Sequence, residues 1–399
     1  MSLGLPELIA PTTEADFLSG IFHQRPLFLP GARDRFAGLF SWEDLNRALG
    51  QHRLEFPRLR LVRESAAVPP ERYTERVSVG EGRTAPRVLV APLTDLVRQG
   101  ATLIVDAVDE LSDPLQRVAA DLERLLRSQV GACAYFSGTT EPAFAAHIDQ
   151  VDTFVLQLHG AKRWRIYEPT REAPLLRDVV VRARPPEKVI IDEVMRPGDL
   201  LYFPRGWWHS VETTEPPAMH VTLGVAPACG TDLLEWMTEQ LLGDTSFRRD
   251  IPILGSPEEQ AAYMDGLLGT ITKIWNPDLL RSFLQYRDLQ ARARQRFGFP
   301  AAATPAILPA GDDVLVRFAA PRASIESAPG AVRLHADGRR WVFDDAVTGL
   351  LQDLLSGDAL SIGELSGRHD GTLDREDLRI LLEDLHAAGL LHWVPSAAG

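Results

Sequence analysis

The chain has 399 residues, 45% of them hydrophobic, and a formal net charge of −13 from 55 Asp and Glu against 42 Lys and Arg. This length predicts two or three domains with a substantial buried core, and the charge argues against general affinity for nucleic acid, whose phosphates demand Lys and Arg. Two cysteines, Cys133 and Cys229, cannot make a disulfide framework, and the absence of both an 18-residue apolar run and a basic-then-apolar leader predicts a soluble, cytoplasmic protein with no membrane association.

Residues 1 to about 60 read as short amphipathic helices, Ala15 to Phe22 and Trp42 to Leu49 with Ser41 as cap, and a short strand between them. Arg63 to Arg87, with Pro69-Pro70, two glycines and many charges, reads as a long loop, either a lid or a plain surface segment. A helix from about Pro114 to Leu126 follows. From Gly131 to Pro227 the pattern becomes short strands punctuated at Ser137-Gly138, His159-Gly160, Arg184-Pro-Pro and Pro197-Gly198, which predicts a compact β-barrel or double sheet with a dry interior.

That strand-rich stretch carries His147-Ile148-Asp149 and, sixty residues on, His209. Two imidazoles and one carboxylate form the facial triad that holds Fe(II) in non-haem oxygenases while leaving positions open. Residues i and i+2 of a strand share a face, so His147 and Asp149 can reach one metal. Asp152 to Leu158 and Lys162 to Tyr167 read as a hairpin turning at His159-Gly160-Ala161. The chain holds only three lysines (Lys162, Lys188 and Lys273) against 39 arginines. Strand parity puts Lys162 on one face with Trp164 and Ile166. An inward ammonium is costly unless it meets an anion, such as a carboxylate co-substrate; the alternative is that Lys162 snorkels past the turn to solvent. Tyr135, Gln157, Arg205, Trp207 and Trp208 are candidate pocket residues, with packing as the plainer reading of each. His220 reads as a cavity-lining or satisfied core residue, and His159 as a solvated turn residue.

Residues 231 to about 298 turn helical. Asn276-Pro277 caps a helix expected to end at Gly298, with Leu279, Leu280, Phe283, Tyr286, Leu289 and Phe297 as its apolar stripe. Ala301 to Ala310 reads as a linker. Beyond it, helical patterns at Asp344–Leu355, Ser361–Leu365 and Asp374–Ala387 precede a strand at Gly389–Val394, the order of a winged helix. From Trp341 to Gly399 there are three Arg and no Lys against eleven Asp and Glu, so this segment is expected to contact protein rather than nucleic acid.

Two segments carry a resemblance. Leu156-Gln-Leu-His-Gly-Ala-Lys-Arg-Trp-Arg-Ile-Tyr-Glu-Pro-Thr170 and Arg196-Pro-Gly-Asp-Leu-Leu-Tyr-Phe-Pro-Arg-Gly-Trp-Trp-His209 resemble the JmjC-type ribosomal oxygenases, and Phe22-His-Gln-Arg-Pro-Leu-Phe-Leu-Pro30 fits the same family. The resemblance implies an α+β fold: a double-stranded β-helix (cupin/JmjC) barrel at 1–228 with N-terminal helices, a helical dimerisation module at 229–303, and a winged-helix-like domain at 304–399. It implies an Fe(II)- and 2-oxoglutarate-dependent dioxygenase that hydroxylates an amino-acid side chain of a ribosomal or other protein, working as a homodimer. His147, Asp149 and His209 would be the iron ligands, Lys162 and Thr222 would bind 2-oxoglutarate, and Tyr135 would lie beside it. Cys133 departs from the family, which has asparagine there, as do Trp207 and Trp208, where small or β-branched residues are usual. The tryptophans keep open a small metabolite or biosynthetic peptide as substrate. A non-catalytic acidic scaffold is the rival from another class.

Overall fold

The computed structural model describes residues 3–175, 184–294, 297, 299, 303 and 311–394. The chain divides into two units, Met1–Pro227 and Ala228–Gly399.

In the first unit, helices α1 (Leu5–Ile9), α2 (Glu14–Gly20), α3 (Trp42–Gln51), α4 (Val90–Arg98) and α5 (Asp113–Leu126) surround an antiparallel sheet. Thr13, Ser41 and Ser112 accept from backbone amides at the starts of α2, α3 and α5, satisfying donors that a helix N-terminus leaves unpaired. The sheet strands are β1 (Leu27–Leu29), β2 (Leu59–Arg63), β3 (Ala66–Ala67), β6 (Thr102–Asp106), β7 (Val130–Ser137), β8 (Asp152–Tyr167), β9 (Val189–Met195), β10 (Leu200–Phe203) and β11 (Trp208–Val225). Their order is β1-β10-β8-β11-β7-β6-β2-β3, with β9 also on β8. The stretch expected as one loop, Arg63 to Arg87, instead contains the hairpin of β4 (Thr74–Ser78) and β5 (Thr84–Val88), held across the strands by Arg87 and Glu75.

The expected hairpin at His159 is also overturned. β8 is one 16-residue strand that runs straight through this point, paired along β11. Its register slips around Glu215–His220, where Gly160 takes φ +62°. A Cβ on Gly160 would lie 2.4 Å from the carbonyl oxygens of both Glu215 and Pro217, so only glycine fits this crossing. The slip exchanges the strand's faces. Before it, Phe154, Leu156 and Leu158 pack outward into the core beneath the helices; after it, Trp164 and Ile166 pack with Val155, Leu201 and Phe203 in an inner cluster. Two members of the inner cluster, Trp164 and Phe203, also line a cavity. His159 is therefore a half-buried strand residue stacked on Trp42, ring centroids 4.7 Å apart, rather than a solvated turn residue.

The second unit holds α6 (Gly230–Leu241), α7 (Thr245–Arg248), α8 (Pro257–Ile274) and α9 (Pro277–Leu289). Asn276 caps α9, which ends at Leu289 rather than near Gly298; Gly298 itself and all of the expected linker but Ala303 lie outside the described residues. A meander of β13 (Ser324–Ala328), β14 (Ala331–Ala336) and β15 (Arg339–Asp344) precedes α10 (Thr348–Leu355), α11 (Ile362–Arg368), α12 (Arg375–Ala387) and β17 (Leu391–Val394). β17 pairs with β12 (Leu315–Phe318), which also pairs with β16 (Leu360–Ser361). Leu350, Leu351, Leu354, Leu378, Leu382 and Leu385 recur at helical spacing and fill this unit's core. Among the described residues no helix is long and apolar enough to cross a membrane.

Candidate metal centre and its cavity

His147 lies in no strand, and Asp149 follows it in a loop, so the two share a site for a reason other than strand parity. His147 forms an isolated antiparallel bridge with His209: each backbone amide donates to the other's carbonyl, at 3.0 and 2.9 Å. Gly206 N–H donates to the Asp149 carbonyl at 2.9 Å, and Arg205 N–H to Asp152 Oδ1 at 3.1 Å, tying this loop to the turn that leads into His209. Asp152 is fully buried and also accepts from Tyr202 Oη at 2.5 Å, with His23 Nδ1 at 2.8 Å.

One donor atom each from His147, Asp149 and His209 lies within 4.8 Å of the others. His209 Nε2 is 3.7 Å from Asp149 Oδ2. His147 Nδ1 contacts the Ala145 carbonyl at 3.0 Å and His209 Nδ1 the Trp207 carbonyl at 3.3 Å. A carbonyl can only accept, so both Nδ1 atoms carry the proton and both Nε2 atoms offer a lone pair to the site. Burial, and then the charge of His147, pushes His209 down to about 4, so its imidazole is neutral at pH 7, as a metal ligand must be.

The centre opens into a cavity of about 300 Å³ that Lys162, Tyr135 and Thr222 also line. Lys162 does not snorkel: it is 2% exposed, and its Nζ donates to Ser137 Oγ at 3.2 Å and the Tyr135 carbonyl at 3.4 Å, both neutral. Burial drives its pKa down to about 7. A buried ammonium held only by neutral oxygens has room for an anionic partner. Tyr135 stacks on His220, centroids 4.8 Å apart and 4° from parallel. Burial, then Cys133 and Asp149, raises its phenol far above the usual range.

Of the pocket candidates, Gln157, Arg205, Trp207 and Trp208 line no part of this cavity. Gln157 donates to the His159 carbonyl at the bulge, and Trp208 Nε1 donates to Thr170 Oγ1 at 2.8 Å. Conversely, His220 does face the cavity; its Nδ1 is buried without a partner among the described residues, and burial, with the Lys162 ammonium next, holds its pKa low. Arg60 was missed altogether. It lines the cavity from β2 and pairs through both terminal nitrogens with Asp106, whose Oδ1 also accepts from Cys133 Sγ at 2.9 Å. Registers Arg60–Ile104, Ile104–Tyr135 and Tyr135–His220 set these residues in one lateral row across four strands, a juxtaposition no local pattern announces.

A family model described as "JmjC domain" matches residues 110–233, the span that holds the three donors and Lys162. The match covers under a third of the chain. Among curated proteins that this chain is similar to, the Drosophila persimilis "bifunctional lysine-specific demethylase and histidyl-hydroxylase NO66" is 30% identical over 221 residues, covering 55% of this chain and 31% of that protein. The Rattus norvegicus "ribosomal oxygenase 2" is 26% identical over 307 residues, covering 70% of this chain and 63% of the rat protein. The chain thus spans about a third of the NO66 protein and under two thirds of the rat one. The ribosomal oxygenase YcfD from Escherichia coli, solved with cobalt and 2-oxoglutarate, superposes with a TM-score of 0.59 at 20% identity, covering 96% of this chain and 98% of YcfD. This likeness shows a JmjC/cupin-type fold of mixed helices and sheets.

Proposed function

We propose that this chain is an Fe(II)- and 2-oxoglutarate-dependent oxygenase that hydroxylates an amino-acid side chain in a protein, with ribosomal proteins as the first class to test. The observation that carries the reading is the unneutralised Lys162 ammonium, buried in the same cavity as the His147, Asp149 and His209 donors. A scaffold has no use for that costly arrangement. Bound iron with 2-oxoglutarate supplies the oxidation of an unreactive C–H bond by O2, releasing succinate and CO2.

The chain's own part is positioning and exclusion of water. His147, Asp149 and His209 would hold the metal, a two-histidine, one-carboxylate donor set that suits Fe(II). Lys162 binds the distal carboxylate of 2-oxoglutarate, and Thr222 and Tyr135 line its place. Trp164 and Phe203, packed in the inner cluster, give the cavity an apolar wall. The small-metabolite alternative drew its weight from Trp207 and Trp208, which lie outside the cavity lining. The expected outcome is an added oxygen atom on one ribosomal protein in cells that express the chain, absent in cells that lack it, read by mass spectrometry of intact ribosomal proteins. Identical mass profiles count against this substrate class.

The proposal extends to organisation: a catalytic region at 1–228, a helical module at 229–303 and a winged-helix-like domain at 304–399, acting in the cytoplasm. The helical module is proposed to pair with a second copy. Its 18-residue α8 has no buried residue and exposes Met264 and Leu268, while Leu234 and Leu280 are exposed on α6 and α9. Sedimentation at micromolar chain should show a dimer that Leu268→Glu dissociates; a monomer at all concentrations contradicts it. The last domain presents Asp374, Glu376 and Asp377 at the start of α12, which favours protein over nucleic acid as its contact.

A further inference from the structure

A second, larger hollow lies on the other face of the same strands. On β6 and β7, Ile104 and Tyr135 face the metal-bearing cavity, while their neighbours Leu103 and Phe136 face outward into a cleft of about 1150 Å³. One wall is the α3 face of Trp42, Leu45 and Leu49, and the other is the α4 face of Val90, Leu93 and Val97, both at helical spacing. The β4–β5 hairpin closes a third side with Val77 and Val88. Trp42, Leu49, Val88 and Phe136 are only partly buried against the main core, and Val90 is 79% exposed, so apolar surface stays open along the cleft.

Its charge runs against the rest of the molecule. In a chain with 55 acidic and 42 basic residues, no Asp or Glu lines this cleft, while Arg53, Arg87 and Arg98 do. Glu75 and Asp95 meet Arg87 and Arg98 from outside the lining; Arg53 has no ion pair among the described residues. An apolar floor with a cationic rim matches a ligand with apolar side chains between acidic ones. The volume exceeds the range of about 300–1,000 Å³ usual for small-molecule pockets, which favours a polypeptide segment.

We propose that this cleft docks an acidic, aliphatic-rich polypeptide segment of a partner protein. Its occupant does not enter the metal-bearing cavity, so the proposal stands or falls separately from the oxygenase reading.

The test pans a phage-displayed library of random 12-residue peptides on the full chain, then titrates the enriched peptides, made with fluorescein, by polarisation. The expected peptides combine Asp or Glu with Leu, Ile or Phe. They should bind about tenfold more weakly to Arg53→Glu/Arg98→Glu and weaken as salt rises. N-oxalylglycine, a 2-oxoglutarate analogue, should not displace them. Unchanged thermal melting shows that the double variant is folded; should it not fold, Val90→Asp at the exposed start of α4 takes its place, with the same loss expected. Enrichment of basic or uncharged peptides, no enrichment at all, equal binding to wild type and variant, or displacement by N-oxalylglycine each overturns the proposal. Displacement by equimolar decanoate also overturns it, assigning the cleft to a small amphiphile instead.

Discussion

Lys162→Met is expected to weaken 2-oxoglutarate binding about a hundredfold, leave metal affinity unchanged, and make the ligand-free chain more stable at pH 6. The first effect follows from removing one partner of a buried charge pair, worth about 3 kcal/mol. The second follows from the hydrogen bonds: the three metal donors are tied to one another and to the turn before His209, and none of the bonds described for them involves Lys162. The third follows from the sign of the lysine's shift. Its pKa falls to about 7 in the folded chain from 10.5. Below about pH 7 both folded and unfolded chains carry the proton, and the folded chain bears the full cost of desolvating it. Between about 7 and 10.5 the folded chain has released the proton while the unfolded chain retains it, so stability rises with pH across that window, by roughly 5 kcal/mol at most. The variant should lose this rise. For binding the sign reverses: a carboxylate needs the charged ammonium, so wild-type affinity for 2-oxoglutarate should fall as pH climbs above about 7. His209, held down at about 4, and Tyr135 and Cys133, whose protons burial holds above their ordinary range, titrate in wild type and variant alike, so their contributions cancel in the comparison. Isothermal titration and thermal melts between pH 6 and 9 read both effects. Wild-type 2-oxoglutarate affinity in the variant, or a lower melting temperature at pH 6, would show that the ammonium does not await an anion.

Gly160→Ala should destabilise the first unit by about 4 kcal/mol or more, placing it among the few severe single substitutions. A left-handed φ costs an alanine about 1 kcal/mol. The larger share comes from the Cβ meeting two backbone oxygens at 2.4 Å, which no rotamer relieves. Because the slip at Gly160 aims Lys162 and Trp164 inward, relief by backbone movement disturbs the cavity as well. Chemical denaturation should show the loss; a variant within about 1 kcal/mol of wild type would mean that the crossing of β8 and β11 is looser than the geometry indicates.

How far the sequence discloses this molecule depends on range. The parity of Lys162, Trp164 and Ile166 is local and survives intact, and so do the Ser41 and Asn276 caps. Leu158-His-Gly-Ala161 misleads because a tight turn and a bulge ask the same thing of glycine, a positive φ; only the carbonyls of Glu215 and Pro217, more than fifty residues away, decide between them. The pairing of His147 with Asp149 was reached by strand spacing, yet the bridge to His209 and the turn at Gly206 do the placing. The hairpin of β4 and β5 hides behind Pro86 and a run of charges, because its cross-strand pairs, Arg87 with Glu75 and Arg76 with Thr84, read as surface polarity until the strands meet. Arg60 and Asp106 stand far apart in the chain and carry no motif, so sequence alone gave no sign of their place at the cavity wall.

The central claim is that one cavity gathers a metal and a 2-oxoglutarate dianion. Anaerobic addition of Fe(II) and then 2-oxoglutarate to the purified chain measures this directly by visible absorption. A weak charge-transfer band should appear only when both are present, saturate at one equivalent of each, and vanish in His209→Ala. Tight one-to-one iron binding with no band at any 2-oxoglutarate concentration would contradict the account.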